Sequence, residues 1–207
     1  MNIGAEVAKN LLQIKAIKLS PQNPFEWASG ILSPIYCDNR VVLSYPQVRE
    51  FVKSAFVKCA QEFSEFDKIA GVATAGIAHG ALLADALEKP FLYVRSKAKG
   101  HGRKNQIEGV LNKGERILVI EDLVSTGGSS IKAIKALQAE GAEVVGIAAI
   151  FTYGFKKANK VFEEAGIPLK TLSNYDILIN EALKINFIQD SDVQLLKNWR
   201  ERVNNTE

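Results

Sequence analysis

Apolar positions along the chain change their spacing several times, and each change marks an element. Residues 2–17 repeat apolar side chains at helical spacing, with Ile3, Val7, Leu11 and Ile14 on one stripe, and predict an amphipathic helix. Ser20-Pro21-Gln22-Asn23-Pro24 breaks it. From Phe25 to Arg40 the pattern alternates: Phe25, Trp27, Ile31, Ile35 and Tyr36 are separated by small and polar residues. That spacing predicts two short strands turning near Ser29-Gly30, a hairpin or hood at the edge of a core. Residues 45–63 return to the helical period, with Val48, Phe51, Val52, Ala55, Phe56 and Cys59 on one broad face and Pro46 in the first turn, where proline is tolerated.

Beyond residue 65, short and wholly apolar runs alternate with helical stretches. Strands are predicted at 69–73, 90–94, 117–120, 144–152 and 169–172. Helices are predicted up to Leu87, from about Ser129 to Gly141, and at 156–165, 174–183 and 191–203. The run Ile117-Leu118-Val119-Ile120 has no polar face, as in a parallel strand buried on both sides. Strand–helix alternation at this spacing implies a parallel, twisted sheet flanked by helices on both faces. Trp199, on the last helix, is expected in the core or at a subunit contact.

The chain's 207 residues suffice for one α/β domain with a sizeable core. Hydrophobic content of 47% and charged content of 24% are ordinary for a globular protein. A net charge of +3 is too mild to imply a nucleic-acid partner. No apolar run approaches the roughly 20 residues that span a bilayer, and Glu6, Lys9, Lys15 and Lys18 rule out a signal peptide at the start. Cys37 and Cys59 show no metal-ligand spacing, so they read as reduced thiols of a cytoplasmic protein.

Chemistry concentrates after the apolar run at 117–120. Glu121 and Asp122 follow it, then Leu123, Val124 and the small, hydroxyl-rich Ser125-Thr126-Gly127-Gly128-Ser129, which opens a helix. The N–H groups of a helix start carry partial positive charge and point outward. Two glycines let the backbone approach an anion closely, and three hydroxyls add donors. Carboxylates beside such a phosphate cup fit a ligand that also carries ribose hydroxyls or a divalent cation. The same residues also describe a capped crossover helix with solvated acids. Their place at the carboxyl end of a buried strand, where open α/β sheets bind ligands, favours the functional description.

Two other turns carry candidate chemistry. Thr74-Ala75-Gly76 follows the run at 69–73 and enters a helix, either as a second anion site or as close helix–sheet packing. His79 is read as structural. After residue 94, Arg95-Ser96-Lys97-Ala98-Lys99-Gly100-His101-Gly102-Arg103-Lys104 holds five lysines and arginines and one histidine, with no apolar residue larger than alanine. This is either a solvated basic loop or a mobile lid that closes over a polyanion, excludes water and neutralises a leaving group.

The stretch apolar strand, two acids, two variable residues, Ser-Thr-Gly-Gly-Ser resembles the phosphoribosyl pyrophosphate (PRPP) motif of type I phosphoribosyltransferases. No GxxxxGK[ST] loop and no GxGxxG after a strand competes with it. F-x-x-x-S-G-x-x-S-P-x-Y-x-x-x-R, from Phe25 to Arg40, is similar to the hood of orotate phosphoribosyltransferases. R-x-x-x-K-x-H-G, from Arg95 to Gly102, resembles their catalytic loop. The likeness runs from about residue 10 to residue 200. It implies a type I phosphoribosyltransferase fold. A helix and hood on the base side would span residues 1–40, and a PRPP-binding core residues 41–207, with a mobile loop at 95–108.

The resemblance further implies site residues. Lys99, Arg95, His101 and Asp122 would be catalytic. PRPP would contact Arg95, Lys99 and His101 of the loop, Thr74 and Ala75 of the second turn, and Glu121, Asp122, Leu123, Val124, Ser125, Thr126, Gly127, Gly128 and Ser129 of the cup. Orotate would lie against Tyr36, Cys37 and Ser125. Mg²⁺ would be held mainly by PRPP, with Glu121 or Asp122 as protein ligands through water. The partners implied are orotate, PRPP and a second copy of the chain, whose loop reaches the neighbouring subunit's site. Neither nucleic acid nor membrane is implied.

The sequence departs from some members of the family: Ala28 stands where they have lysine, Thr74-Ala75 where they have Tyr-Lys, and Ser96 where they have a second lysine. Residues 152–157 contain no arginine to meet the orotate carboxylate, which leaves that partner unassigned. The reaction expected is orotate plus PRPP giving orotidine 5′-phosphate plus pyrophosphate, a step of UMP synthesis. The alternatives are transfer to another base, a non-catalytic PRPP-sensing regulator, and a structural α/β protein with incidental loops.

Overall fold

The computed structural model describes residues 2–27, 30–97 and 106–206. Helix α1 (Ile3–Gln13) begins at Asn2, whose side-chain oxygen accepts from the N–H groups of Gly4 and Ala5. The predicted helix ran to residue 17, but the chain leaves it at Ile14 and passes Lys15 in the left-handed region (φ +58°). That turn frees Ile17 for strand β1 (Ile17–Leu19).

The hood is two nested ribbons rather than one hairpin. Strands β2 (Phe25–Glu26) and β3 (Leu32–Ser33) pair antiparallel across the expected turn, and β4 (Ile35–Cys37) runs back along β1. A 3-10 turn, Asn39–Ser44, then leads to α2 (Pro46–Ala60), with Pro46 at its start.

The main sheet has six strands in the order β10-β9-β8-β5-β6-β7. In chain order its elements are β5 (Lys68–Val72), α3 (Ala75–Ala86), β6 (Phe91–Val94), β7 (Ile107–Glu108), β8 (Arg116–Val124), α4 (Gly128–Ala139), β9 (Glu143–Thr152), α5 (Lys156–Glu164), β10 (Leu169–Asn174), α6 (Tyr175–Lys184) and α7 (Asp190–Thr206). All neighbours are parallel except β6 and β7. The apolar side chains form two cores, one on each face. One takes Val7, Leu11, Phe56, Leu83, Leu178 and Leu196 from α1, α2, α3, α6 and α7, and the other takes Ile131, Ile134, Leu137 and Phe162 from α4 and α5. The fold is therefore the α/β sandwich that strand–helix alternation predicts.

Strand β8 is longer than its apolar run. It continues through both acids to Val124, because β9 offers partners to the end: Glu121 opposite Ala149, Leu123 opposite Phe151, and Val124 opposite Thr152. Alternation along a strand then sends Glu121 to the α4 side and Asp122 to the hood side.

Trp199 fixes the hood to the core. Its indole N–H donates to the Leu32 carbonyl at 3.0 Å, and its ring meets Trp27 edge-on at 5.7 Å. Trp27 in turn donates to the Ile35 carbonyl at 3.0 Å and packs on Tyr153. The aromatic group Trp27, Tyr153, Phe155, Tyr175 and Trp199 joins hood, sheet and last helix. Among the described residues, no helix is long and apolar enough to cross a membrane.

Candidate active site

Helix starts and strand ends meet at the carboxyl edge of β5 and β8. Close packing makes this possible. A Cβ on Gly76 would lie 2.5 Å from the Ile120 carbonyl oxygen, so only glycine lets α3 begin directly against β8. Gly127 precedes α4 with φ +80°, a conformation that favours glycine, and no side chain caps the helix. The first N–H groups of α4 therefore lack partners within the helix, and Gly128 and Ser129 in its first turn are exposed.

A cleft of about 320 Å³ opens there. One part of its lining comes from Thr74 and Ala75, with Ala73 before them. Glu121, Asp122 and Leu123 of β8 form another, and Ser129 of α4 a third. The hood side supplies Cys37, Asp38 and Arg40. The Ala73–Thr74 peptide is cis.

The two acids are held differently. Glu121 is buried: its Oε1 accepts from the Asp122 N–H at 3.1 Å, and the Ser130 hydroxyl donates to its Oε2 at 3.4 Å. Burial, and then the neighbouring Asp122 carboxyl, push its pKa up to about 9. Burial also raises Asp122. Burial thus works against full ionisation of the pair, an effect that hydroxyl donors or a cation would relieve. Among the described residues no cluster of three carboxylate, thiol or imidazole groups could hold a metal. The hard oxygen donors of Glu121 and Asp122 fit Mg²⁺, which takes one or two carboxylates and completes its shell with water and substrate phosphates.

The structure gathers Cys37, Thr74, Ala75, Glu121, Asp122, Leu123 and Ser129 around one cleft. Val124 is buried at the end of β8, and Ser125, Thr126, Gly127 and Gly128 form the turn into α4 without lining the cleft. Tyr36 does not line it either: the residue is 40% exposed and its ring packs on Phe25 at 5.9 Å. Arg95 follows β6, its N–H donating to the Gln106 carbonyl and its guanidinium lying 3.5 Å from Glu108 of β7. Lys99 and His101 lie outside the described residues. His79 is buried against Phe56, with its Nε2 unpartnered and its ring bonded to the Asn39 backbone.

Sequence reasoning missed Asp38, Asn39 and Arg40. Arg40 was legible, since it closes the hood pattern that begins at Phe25. Asn39 carried no signal. It is fully buried, and its amide donates to the Asp122 carbonyl at 2.7 Å.

A family model for the phosphoribosyl transferase domain matches residues 42–178. An orotate phosphoribosyltransferase of Listeria monocytogenes is 56% identical over 206 residues, 99% of each chain. The chain belongs to the orotate phosphoribosyltransferase family. Solved structures agree with that membership. Orotate phosphoribosyltransferase from Aeropyrum pernix superposes with a TM-score of 0.76 at 28% identity, over 88% of this chain and 99% of that one. UMP synthase of Leishmania donovani gives 0.82 at 27% identity, over 96% of this chain and 42% of that one. Within the orotate phosphoribosyltransferase family, the cleft occupies the place open α/β sheets reserve for ligands, outside the carboxyl ends of the strands.

Proposed function

We propose that this chain transfers the 5-phosphoribosyl group of PRPP to orotate, giving orotidine 5′-phosphate and pyrophosphate in UMP synthesis. The observation that carries the reading is the convergence of Thr74-Ala75, Asp122 and the start of α4 on one cleft beneath the hood. The bond from the anomeric carbon to a pyrophosphate oxygen breaks, and a carbon–nitrogen bond to the base forms. The sugar passes through an oxocarbenium-like state, by analogy with glycosyl transfer. Orotate is already an anion, so no strong base is required. What the protein supplies is position, dryness and neutralisation of the leaving group.

The residues divide that work. The first N–H groups of α4, with Ser125, Thr126, Gly127, Gly128 and Ser129, hold the 5′-phosphate. Asp122 and Glu121 accept from the ribose hydroxyls. Thr74 and Ala75 offer backbone to the pyrophosphate, which Arg95, Lys99 and His101 neutralise. When bound, Mg²⁺ carried by PRPP adds charge neutralisation at the pyrophosphate, with Glu121 or Asp122 as its protein ligands through water. Cys37 and Ser125 lie on the base side. The reading includes a cytoplasmic homodimer in which the loop after Arg95 serves the neighbouring subunit's cleft.

The test is orotate absorbance after mixing protein, orotate, PRPP and Mg²⁺. Loss of signal that requires both PRPP and metal supports the reading. Loss of PRPP with uracil or a purine, and none with orotate, would move the assignment to another base.

A further inference from the structure

Among the described residues, Arg40 is the one cation that lines the cleft. It shares that lining with Ala73, Thr74 and Ala75, a turn that carries no charged side chain. Asp38 holds the guanidinium in a fork, with Nε 2.6 Å from Oδ1 and Nη2 2.8 Å from Oδ2, and also accepts the Arg40 N–H. Two of the five guanidinium N–H donors are thereby used, and Nη1 makes no hydrogen bond among the described residues. The guanidinium lies near enough to Asp122 to act on its carboxyl electrostatically. An exposed two-residue pair explains its own geometry but contributes little stability. It does not explain why the one cation of the cleft is oriented there.

We propose that Arg40, oriented by Asp38, binds the pyrophosphate group of PRPP and supplies the fixed positive charge that the Thr74-Ala75 turn lacks. The proposal rests on the phosphoribosyl-transfer reading above. Two other anionic groups compete for the role. The 5′-phosphate already has the start of α4. The orotate carboxylate would lie on the side of Cys37, Tyr36 and residues 152–157; of these only Cys37 shares the lining with Arg40, whereas Ala73, Thr74 and Ala75 all do. Pyrophosphate is the substrate group that the shared lining favours. A planar fork also suits it, since two parallel N–H donors match two oxygens of one phosphate.

The test is calorimetric binding of PRPP, pyrophosphate and ribose 5-phosphate, with Mg²⁺ and without orotate, to wild type, Arg40→Met, Arg40→Lys and Asp38→Asn. Arg40→Met should weaken PRPP and pyrophosphate roughly 10- to 100-fold, the range of a charge-assisted hydrogen bond, and leave ribose 5-phosphate unchanged. Arg40→Lys should recover part of the loss, and Asp38→Asn should show a smaller one. An equal loss for ribose 5-phosphate would overturn the assignment in favour of the 5′-phosphate. Unchanged PRPP binding with a raised orotate KM would overturn it in favour of the carboxylate. Wild-type protein that binds no PRPP would overturn the phosphoribosyl-transfer reading itself, and this one with it.

Discussion

The side-chain amide of Asn39 donates to the backbone carbonyl of Asp122 at 2.7 Å, joining the end of the hood to the acidic end of β8. Asn39 is fully buried, its own oxygen lacks a partner, and its backbone meets the His79 ring on α3. One residue thus sets hood, acid and helix relative to each other. Asn39→Ala leaves a buried carbonyl without its donor and should cost about 1–3 kcal/mol in urea unfolding. The KM for PRPP should rise as well, because Asp122 loses its register. A variant that is destabilised but keeps a wild-type KM would limit Asn39 to a structural role.

Trp199 tests the hood in the same way. Trp199→Phe keeps the ring contacts with Trp27 and Tyr175 but deletes the donor to the Leu32 carbonyl. The expected cost is about 1 kcal/mol, against about 3–5 kcal/mol for Trp199→Ala, which also empties the aromatic group. For Trp199→Phe, orotate KM should rise more than PRPP KM under the proposed reading, which puts the hood on the base side. Steady-state kinetics with each substrate varied in turn separates the two.

These two contacts also show what the sequence could and could not reveal. The sheet was legible because buried parallel strands are written as uninterrupted apolar runs, Ile117 to Ile120 most plainly. The turns at Thr74 and Ser125 were legible through their small residues. The pairing of β1 with β4 was not, since three-residue strands carry too little pattern to override a preceding helical period. The length of β8 depended on β9, a partner distant in sequence. Asn39 lies in a 3-10 turn, and its bond spans 83 positions, which no local spacing encodes.

Lys99 carries the leaving-group argument, although it lies outside the described residues. Five lysines and arginines between positions 95 and 104, with nothing large and apolar to bury, suit neutralisation of a polyanion better than packing. Lys99→Ala should therefore lower kcat by roughly 100-fold or more, the scale of one electrostatic donor to a developing charge. The melting temperature should stay within about a degree of wild type, the outcome expected of a side chain that serves the chemistry and not the packing. Unchanged turnover at saturating PRPP would remove Lys99 from the chemistry.

His79 gives the fold a pH dependence of known sign. Burial pushes its imidazole pKa down from the ordinary 6.5 to about 4. Below pH 6.5 the unfolded chain takes up a proton that the folded chain refuses, so this contribution is complete above 6.5 and lost as pH falls toward 4. The full shift corresponds to about 3 kcal/mol. Glu121 and Asp122 act in the opposite sense, because their raised folded pKa values favour the folded state as they protonate. Their effect cancels when wild type is compared with His79→Gln, which keeps an N–H donor for the Asn39 backbone and does not titrate. Between pH 7 and pH 4.5, urea unfolding should show wild type losing about 2–3 kcal/mol more than the variant. Parallel stability curves for the two proteins would mean that the folded chain accepts the imidazolium, with the Asn39 backbone compensating for burial.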